Sequence, residues 1–249
     1  MKCDACGLVY VSPRPDLNAI SEANRLGQHM TSDGVMDLVF SRSPKKIAHY
    51  RNIIDMMLAD RLQQPVSWLD VGAGFGEVVE AVTDLAHEGS LVEGIEPMIA
   101  KAEAASRRGL PVRACMLSDV TETYDVVSII NVFSHVPDFS SFLRDIKDRL
   151  NEGGELFVET SNAGDLSDAS KYPDYLFLPD HLIFAGVKHM HRFLNEAGFQ
   201  VVSMHQRRID GLSRSAKNVV KRLLGRKAQL IVPYASPFRT VFYRARLFS

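Results

Sequence analysis

The stretch WLDVGAGFGE, residues 68–77, places three glycines within five residues, between an apolar run and an amphipathic segment. Glycine accepts a positive φ and has no Cβ, so such a turn lets a ligand approach the backbone amides closely. In an open parallel sheet, ligands bind beyond the carboxyl ends of the strands, and the first strand-to-helix turn is a common cradle. The stretch therefore predicts a strand, a ligand-binding turn containing Gly72, Gly74 and Gly76, and a helix.

The sequence on both sides of this turn alternates between apolar runs and amphipathic segments. A helix is predicted from Pro44 to about Leu62, because apolar residues recur there at helical spacing and Ser43 can cap its start. Apolar strands separated by amphipathic helices indicate a parallel sheet covered on both faces, so we predict a doubly wound α/β domain with a mostly parallel, seven-stranded sheet. The predicted strands are residues 66–71, 90–96, 111–115, 124–132, 154–160, 199–206 and 238–248, and the other predicted helices are residues 75–87, 98–108, 139–150, 187–197 and 213–227.

Length and composition fit an ordinary globular protein. The chain has 249 residues, of which 46% are hydrophobic and 24% charged, enough to bury one or two cores. Residues 1–43, with Pro13 and Pro15 breaking any early helix, are predicted to form an appendage to a main domain of residues 44–249. The sequence has no apolar run of about 20 residues and its start lacks a signal-peptide core, so we expect a cytoplasmic protein without a transmembrane segment.

Charge indicates which ligand suits the glycine turn. Dinucleotide sites have the spacing GxGxxG, whereas here the third glycine comes one residue early and Glu77 follows it. A pyrophosphate in the turn would face the carboxylates of Asp70 and Glu77, and like charges about 4 Å apart cost about 4 kcal/mol at an effective dielectric of about 20. A ligand with cationic groups would be attracted instead. A nicotinamide-dependent oxidoreductase is therefore the weaker alternative.

Five ordered segments resemble class I S-adenosylmethionine-dependent methyltransferases. LDVGAGFG resembles their first motif, GIEPM the end of the second strand, YDVVSIINVFSHVPD the fourth strand and its loop, LNEGGELFVET the turn into the fifth, and PDHLIFAGVKHMHRFLNEAGFQVV a later helix and strand. The segment MKCDACGLVYVSPRP is similar to the start of one branch of that family. The resemblance implies S-adenosyl-L-methionine as cofactor and a small-molecule acceptor, such as a sugar or natural-product intermediate, methylated at oxygen, carbon or nitrogen. A noncatalytic binding protein on the same fold is the other alternative.

The resemblance also implies roles for residues at the ends of the predicted strands. Glu96, which Pro97 follows, would accept hydrogen bonds from both ribose hydroxyls. Asp70 would orient the turn amides or the ammonium of the cofactor, and Asn131 stands where the family often has an acid near the methionine moiety. Glu77 is interpreted as an acid that stabilises the helix through its dipole, by about 0.3–1 kcal/mol, and not as a ligand.

Adenine would be held differently from the usual family pattern. Where the family commonly has an acid that accepts a hydrogen bond from the adenine amino group, this chain has Met116 and Leu117. Packing and backbone contacts, or Ser118 or Asp119, would take its place.

Two histidines are candidate general bases, because an imidazole titrates near neutrality and can accept a proton from an acceptor hydroxyl. His181 is the predicted catalytic residue, and His135 is a second candidate. A structural role, in which a histidine hydrogen-bonds the loop to the sheet, is the alternative for both. We predict that residues 161–186 form the wall or lid of the acceptor site, with these apolar candidates: Tyr172, Tyr175 and Phe177.

The remaining cysteines and cations carry weaker signals. Cys3 and Cys6 have zinc-knuckle spacing, but a closed structural zinc site needs four ligands, so no metal is assigned and the pair is interpreted as an unmetallated remnant, with a longer natural N-terminus as an alternative. Cys115 is interpreted as a small core residue.

Residues 206–249 contain eleven Lys or Arg and one acid, Asp210. The amphipathic segment 213–227 is interpreted as a solvated helix, with weak contact to an anionic membrane as an alternative and nucleic acid disfavoured because stacking aromatics are missing.

Overall fold

A computed structural model describes residues 1–26, 28–31, 34–37, 42–166, 181–208, 211–225, 230, 232 and 234–248. The helices are α1 (Leu17–Leu26), α2 (Pro44–Leu58), α3 (Glu77–Leu85), α4 (Ile99–Ser106), α5 (Phe139–Lys147), α6 (Val187–Glu196) and α7 (Leu212–Leu223). The strands are β1 (Val9–Tyr10), β2 (Gln28–Thr31), β3 (Gly34–Asp37), β4 (Ser67–Val71), β5 (Leu91–Ile95), β6 (Val112–Arg113), β7 (Tyr124–Ile130), β8 (Leu150–Ser161), β9 (Ile183–Phe184), β10 (Phe199–Arg208) and β11 (Arg239–Leu247).

The central sheet confirms the predicted doubly wound α/β fold. Its seven strands lie in the order β10-β11-β8-β7-β4-β5-β6. Strand β4 pairs in parallel with both β5 and β7. Strand β11 runs antiparallel to both of its neighbours, β10 and β8. The chain moves outward from β4 through β5 to β6, and then returns to the other side of β4 at β7. The strand order therefore reverses between β4 and β7, where such sheets bind ligands.

Two apolar layers cover the faces of this sheet. One contains Leu69, Val127 and Phe199 with residues of α5 and α6, and the other contains Trp68, Phe157 and residues of α2 and α3. Strands β4, β5, β7, β8 and β11 contribute to both layers, because successive side chains point to opposite faces. In the described part of the chain, every helix is too short or too polar to span a bilayer.

The element boundaries differ from the prediction at several places. Helix α3 begins at Glu77 and not at Phe75, because Gly74 and Gly76 have positive φ angles that a right-handed helix does not allow. Helix α2 ends at Leu58. Hydrogen-bonded turns then continue to about residue 63, where we predicted the last helical turn.

The N-terminal segment has more regular structure than we predicted. Helix α1 begins just after the two prolines, and Asp16 caps it by accepting a hydrogen bond from the Ala19 amide at 2.9 Å. Strand β1 pairs with β9, and Arg14 donates a hydrogen bond to the Pro137 carbonyl at 2.7 Å. The appendage thus contacts the loops that follow β7 and precede α6.

A buried ion cluster joins the last strand to the rest of the sheet. The Arg244 guanidinium of β11 donates to Glu155 of β8 at 2.7 Å and, through two nitrogens, to Asp60 at 2.6 and 2.7 Å. Glu155 is fully buried and also accepts from Arg246 at 2.8 Å. A buried carboxylate needs this compensation, since losing its partner leaves an unpaired charge in the protein interior.

We expect Arg244→Met to lower the free energy of unfolding by about 3 kcal/mol, because it removes one cation from the buried Glu155 carboxylate. Urea unfolding measures the change. Arg192→Met is the matched control, because Arg192 forms an exposed pair with Glu196 on α6 and should leave the midpoint unchanged. Equal midpoints for the two variants would contradict this role of the cluster.

Candidate functional site

The three glycines of the turn have different structural roles. All three have positive φ angles, +77° at Gly72, +56° at Gly74 and +79° at Gly76. A Cβ at Gly72 would lie 2.5 Å from Val132 Cγ2, and one at Gly76 would lie 2.7 Å from Leu110 Cδ1. At Gly74 the nearest atom to such a Cβ is 3.9 Å away. Gly72 and Gly76 are therefore required for packing, whereas Gly74 leaves space open above the turn.

A cavity of about 590 Å³ lies against this turn, at the carboxyl ends of β4, β5 and β7. This volume falls within the range of about 300–1,000 Å³ that small-molecule sites occupy. Of the residues that the structure describes and the sequence predicts for the site, Gly76 and His181 are outside the lining. The predicted residues that line the cavity are Asp70, Gly72, Gly74, Glu96, Pro97, Asn131 and His135.

Asp70 is held at the end of β4 by a relay of two side chains. It is buried, and its Oδ1 accepts a hydrogen bond from the Ser128 hydroxyl at 2.6 Å. The Trp68 indole donates to the same Ser128 oxygen at 2.9 Å, which orients the hydroxyl toward Asp70. Burial raises the pKa of Asp70 to about 8, against the lowering effect of the Ser128 hydrogen bond. The nearby charges of Glu96 and Glu77 raise it further.

Glu96 connects the glycine turn to the loop after β5. Its Oε2 accepts a hydrogen bond from the Gly74 amide at 2.7 Å, and its Oε1 accepts from the Met98 amide at 3.0 Å. A carboxylate has about four acceptor positions, so two remain for ligand hydroxyls. The two backbone contacts fix the orientation of Glu96 before any ligand binds.

Acidic side chains outnumber lysines in the lining of the cavity. Among the described residues it contains five carboxylates and two lysines, Lys46 and Lys101. Glu77 is one of the five, and its Oε1 accepts a hydrogen bond from the Ser43 amide at 3.2 Å, so this side chain joins α3 to the start of α2. Such a lining attracts a ligand with positive charge and repels a phosphate.

The wall beside β6 is apolar and contains residues that the sequence predicts for adenine. Cys115, Met116, Leu117 and Ser118 line it, and Leu117 is buried. The Asp119 carboxylate accepts a hydrogen bond from the Met116 amide at 2.9 Å. Asp119 thus shapes the turn and lies outside the cavity lining.

A buried polar group that the sequence analysis missed lies beneath Asn131. Glu159, at the end of β8, is hydrogen-bonded by the Asn131 and Tyr50 side chains, and both of these residues line the cavity. Burial raises the pKa of Glu159 to about 7. Among the described residues its Oε2 atom is buried without a hydrogen-bond partner. The signal in the sequence is an acid inside the apolar run of β8.

The two candidate histidines form a pair. Their rings lie edge to face with centroids 4.6 Å apart, and His181 also contacts Phe184 at 6.0 Å between centroids. The Leu182 amide donates to the Ser134 carbonyl at 2.7 Å, which fastens this segment to the loop after β7. His135 therefore faces the cavity, and His181 stands behind it. Tyr172, Tyr175 and Phe177 lie outside the described residues.

The segment that contains the N-terminal cysteines contacts the start of α6. Both are far from the glycine turn in the sequence. His189 Nε2 is 2.8 Å from the Cys6 carbonyl oxygen, and the Gly186 amide donates to His189 Nδ1 at 3.0 Å. Within the described ranges, no group of three or more His, Cys, Asp or Glu side chains is arranged to hold a metal ion. Cys115 lines the cavity and packs against the core.

Comparison with known proteins gives one family match. The profile of the family described as Methyltransferase domain matches residues 44–204. Ubiquinone biosynthesis O-methyltransferase from Methylocella silvestris is 28% identical over 167 residues, which are 59% of this chain and 64% of that protein. The mitochondrial enzyme of the same description from Homo sapiens is 32% identical over 114 residues, 41% of this chain and 30% of that protein. The chain spans less than two thirds of the length of these curated relatives.

Solved structures of methyltransferases share the fold. Coclaurine N-methyltransferase, bound to N-methylheliamine and SAH, has a TM-score of 0.58 and 17% identity, with 85% of this chain and 75% of that chain covered. Magnesium protoporphyrin IX methyltransferase from Synechocystis, with bound SAM, has a TM-score of 0.54 and 11% identity, with 84% and 86% covered. At these identities the similarity shows the architecture alone.

The buried Asp70 predicts a specific pH dependence of stability. Its folded pKa of about 8 exceeds the ordinary value of about 3.9, so the folded state binds this proton more tightly than the unfolded state. Stability is therefore lost as the pH rises from about 4 to about 8. Asp70→Asn keeps an oxygen acceptor for Ser128 but does not ionise, so its unfolding free energy relative to the wild type should increase between pH 5 and pH 8.5.

Urea unfolding at three pH values in that window measures this difference. Asp55→Asn, on the exposed side of α2, is the control and should follow the wild type at each pH. A difference between Asp70→Asn and the wild type that stays constant with pH would show that Asp70 does not titrate in this window.

Proposed function

Because the chain belongs to the Methyltransferase domain family, we propose that it transfers a methyl group from S-adenosyl-L-methionine to a small-molecule acceptor. The observation that carries this proposal is the arrangement of Gly74, Asp70 and Glu96 around one acidic cavity at the point where strand order reverses. The accepting atom is an oxygen, a carbon or a nitrogen.

The residues present fit this methyl donor. S-adenosylmethionine carries an ammonium and a sulfonium and has no phosphate, so it matches a lining in which carboxylates outnumber lysines. Asp70 and the turn amides would hold the amino acid end, and Glu96 would hold the ribose. The wall formed by Met116, Leu117 and Ser118 would hold the adenine. Asn131 would contact the methionine moiety from the end of β7.

The chain contributes mainly by positioning the two reactants. When bound, the donor supplies a methyl group on a positively charged sulfur, which an acceptor nucleophile displaces in line: the new bond to the methyl carbon forms as the carbon–sulfur bond breaks, and sulfur keeps the electron pair. Holding two reactants in a near-attack geometry can lower such a barrier by about 7–11 kcal/mol. The hydrogen bonds from Gly74 and Met98 to Glu96 and from Ser128 to Asp70 fix the donor side in advance.

His135 and His181 supply the acceptor side with a group that can take a proton. His135 lines the cavity and His181 contacts it edge to face. In this arrangement His135 would receive the proton of an acceptor hydroxyl or amine, and His181 would orient the His135 ring. We retain His181 as part of the catalytic pair for this reason. Burial raises the pKa of Glu159, behind Asn131, to about 7.

The acceptor we propose is a small molecule, and no nucleic acid is required. The cavity volume of about 590 Å³ lies within the range of small-molecule sites, which favours an acceptor of that size. We place the chain in the family branch that begins with CxxCGLVY, on the motif of its first residues, and we place its activity in the cytoplasm. A sugar or natural-product intermediate is the acceptor class we propose.

Two other functions fit the same fold. A nicotinamide-dependent oxidoreductase would bind a dinucleotide pyrophosphate at the turn, against the five carboxylates of the lining. A noncatalytic relative would bind the donor and leave every acceptor unmethylated. Incubation with a methyl-labelled donor and candidate small molecules separates the enzyme from both.

We expect Gly74→Val to abolish donor binding while the protein stays folded, because the added side chain would enter the open space above the turn. Isothermal titration calorimetry with S-adenosylmethionine measures the affinity. Gly109→Val is the matched control: Gly109 has a φ of +80° and open space around its Cβ, so it carries similar backbone strain at another loop. Unchanged affinity in Gly74→Val would remove the turn from the donor site.

We expect His135→Ala to lower kcat by about a hundredfold with little effect on donor affinity, as the loss of a general base does. His181→Ala should lower kcat less and shift the pH–rate profile, because it acts through the His135 ring. His87→Ala, in the loop before β5, is the control. Normal turnover and an unshifted pH profile in both variants would make the pair structural.

A further inference from the structure

Helix α7 presents its apolar side to solvent. Ser215 is buried, Arg214 and Asn218 are half-buried, and all three interact with neighbouring groups, so the polar side of the helix faces the protein. The apolar residues recur at positions that share the opposite side, as expected for residues three or four apart. Their exposures are 67% for Leu212, 45% for Val219, 54% for Val220, 81% for Leu223 and, just beyond the helix, 69% for Leu224.

This orientation is the reverse of the usual one. An amphipathic surface helix normally buries its apolar stripe against the core and turns its charged side to water. Four exposed branched side chains on one short helix, with Leu224 just beyond its end, form an apolar patch that a soluble monomer rarely displays without a partner. The solvated-helix interpretation made from the sequence does not account for this arrangement.

Basic residues flank the apolar stripe. Lys217 lies on one side of it and Arg222 on the other, both exposed, and Lys221 is half-buried beside them. The C-terminal region from residue 206 contributes eleven Lys or Arg against one acid. An apolar stripe between cations matches a surface that offers both hydrocarbon and negative charge, which an anionic lipid bilayer does.

The position of α7 relates this patch to the cavity. Strand β10 is antiparallel to β11, which is antiparallel to β8, so β10 runs in the same direction as β4 and β7. Helix α7 follows the carboxyl end of β10 and therefore leaves the sheet at the edge that holds the cavity. Three strand spacings separate β10 from β7, a distance of roughly 14 Å at about 4.8 Å per spacing.

We propose that α7 docks this protein on the surface of an anionic lipid bilayer. The helix lies in the plane of the membrane, its apolar stripe enters the level of the lipid headgroups, and Lys217 and Arg222 contact lipid phosphates. The helix of 12 residues is about 18 Å long, which suits a position along the surface. Docking does not depend on the methyl transfer proposed above, because it uses residues outside the cavity.

Two other occupants fit the patch less well. A second copy placing its own α7 there would bring like charges together, since both helices carry the same basic flanks. A nucleic acid would meet aliphatic side chains where single strands require aromatic stacking platforms and duplexes require cations. The second copy is a distinguishable outcome of the experiment below.

Vesicle flotation with the full chain tests the proposal, without donor or acceptor present. The wild type should float with vesicles containing 30% phosphatidylglycerol in phosphatidylcholine, float much less with pure phosphatidylcholine, and detach as salt is raised. Leu223→Glu should lower the partition coefficient at least about tenfold, because burying one leucine is worth about 1.5–3 kcal/mol. The pair Lys217→Gln and Arg222→Gln should lower it about thirtyfold on the anionic vesicles alone, at about 1 kcal/mol per basic residue.

The control variants and measurements distinguish a lipid bilayer from a second copy of the chain as the partner of the α7 patch. Leu91→Glu adds the same charge at another exposed leucine, 54% exposed at the start of β5, and should bind vesicles like the wild type. Circular dichroism verifies that each variant is folded, and the double glutamine variant tests the surface independently of Leu223. Failure of the wild type to float, or flotation that Leu223→Glu leaves unchanged, overturns the proposal. A dimer in sedimentation equilibrium that Leu223→Glu converts to a monomer also overturns it and assigns the patch to a second copy.

Discussion

The structure depends on a buried carboxylate at the centre of its sheet. Asp70 sits where strand order reverses, is nearly inaccessible to solvent, and is held by Ser128 from the neighbouring strand. A single hydrogen bond from a hydroxyl compensates only part of the cost of burying a negative charge, so the carboxylate retains its proton near neutral pH in the free protein. A cation placed beside it would favour the ionised form. Binding of a cationic ligand and release of this proton are therefore coupled.

The other site residues follow from the need to present that charge to a ligand. Glu96 uses one oxygen to hold the Gly74 amide and the other to hold Met98, so the turn and the loop after β5 form one rigid unit. Gly72 and Gly76 allow Val132 and Leu110 to pack closely against the turn, whereas Gly74, which lines the cavity, has open space around the position of a Cβ. In the proposed function these hydrogen bonds to Glu96 would hold the donor side, while the acceptor side would be made of loops and the histidine pair. This division suits a fold that keeps one methyl donor and varies its acceptor.

Much of this arrangement is visible in the sequence, because periodicity and glycine spacing report on neighbours in the chain. The strand before Gly72 and the acid at Glu96 are examples, and both lie where we predicted. Contacts between distant positions are not visible in this way: Ser128 reaches Asp70 across 58 residues. Glu159 and Tyr50 are further apart, and the direction in which α7 faces depends on packing that no periodicity encodes. Spacing predicts that Gly76 contacts the ligand; in the structure Gly76 lies outside the cavity lining, and a Cβ there would be 2.7 Å from Leu110 Cδ1.

The most direct test of the account is the affinity of the turn for a sulfonium nucleoside compared with a dinucleotide. Titration calorimetry should detect S-adenosylmethionine binding to the wild type and no NADH binding under the same conditions. Glu96→Ala should weaken S-adenosylmethionine by about 1–3 kcal/mol, the usual contribution of hydrogen bonds to a charged group. Tight NADH binding without S-adenosylmethionine binding, or an affinity that Glu96→Ala leaves unchanged, would contradict the account.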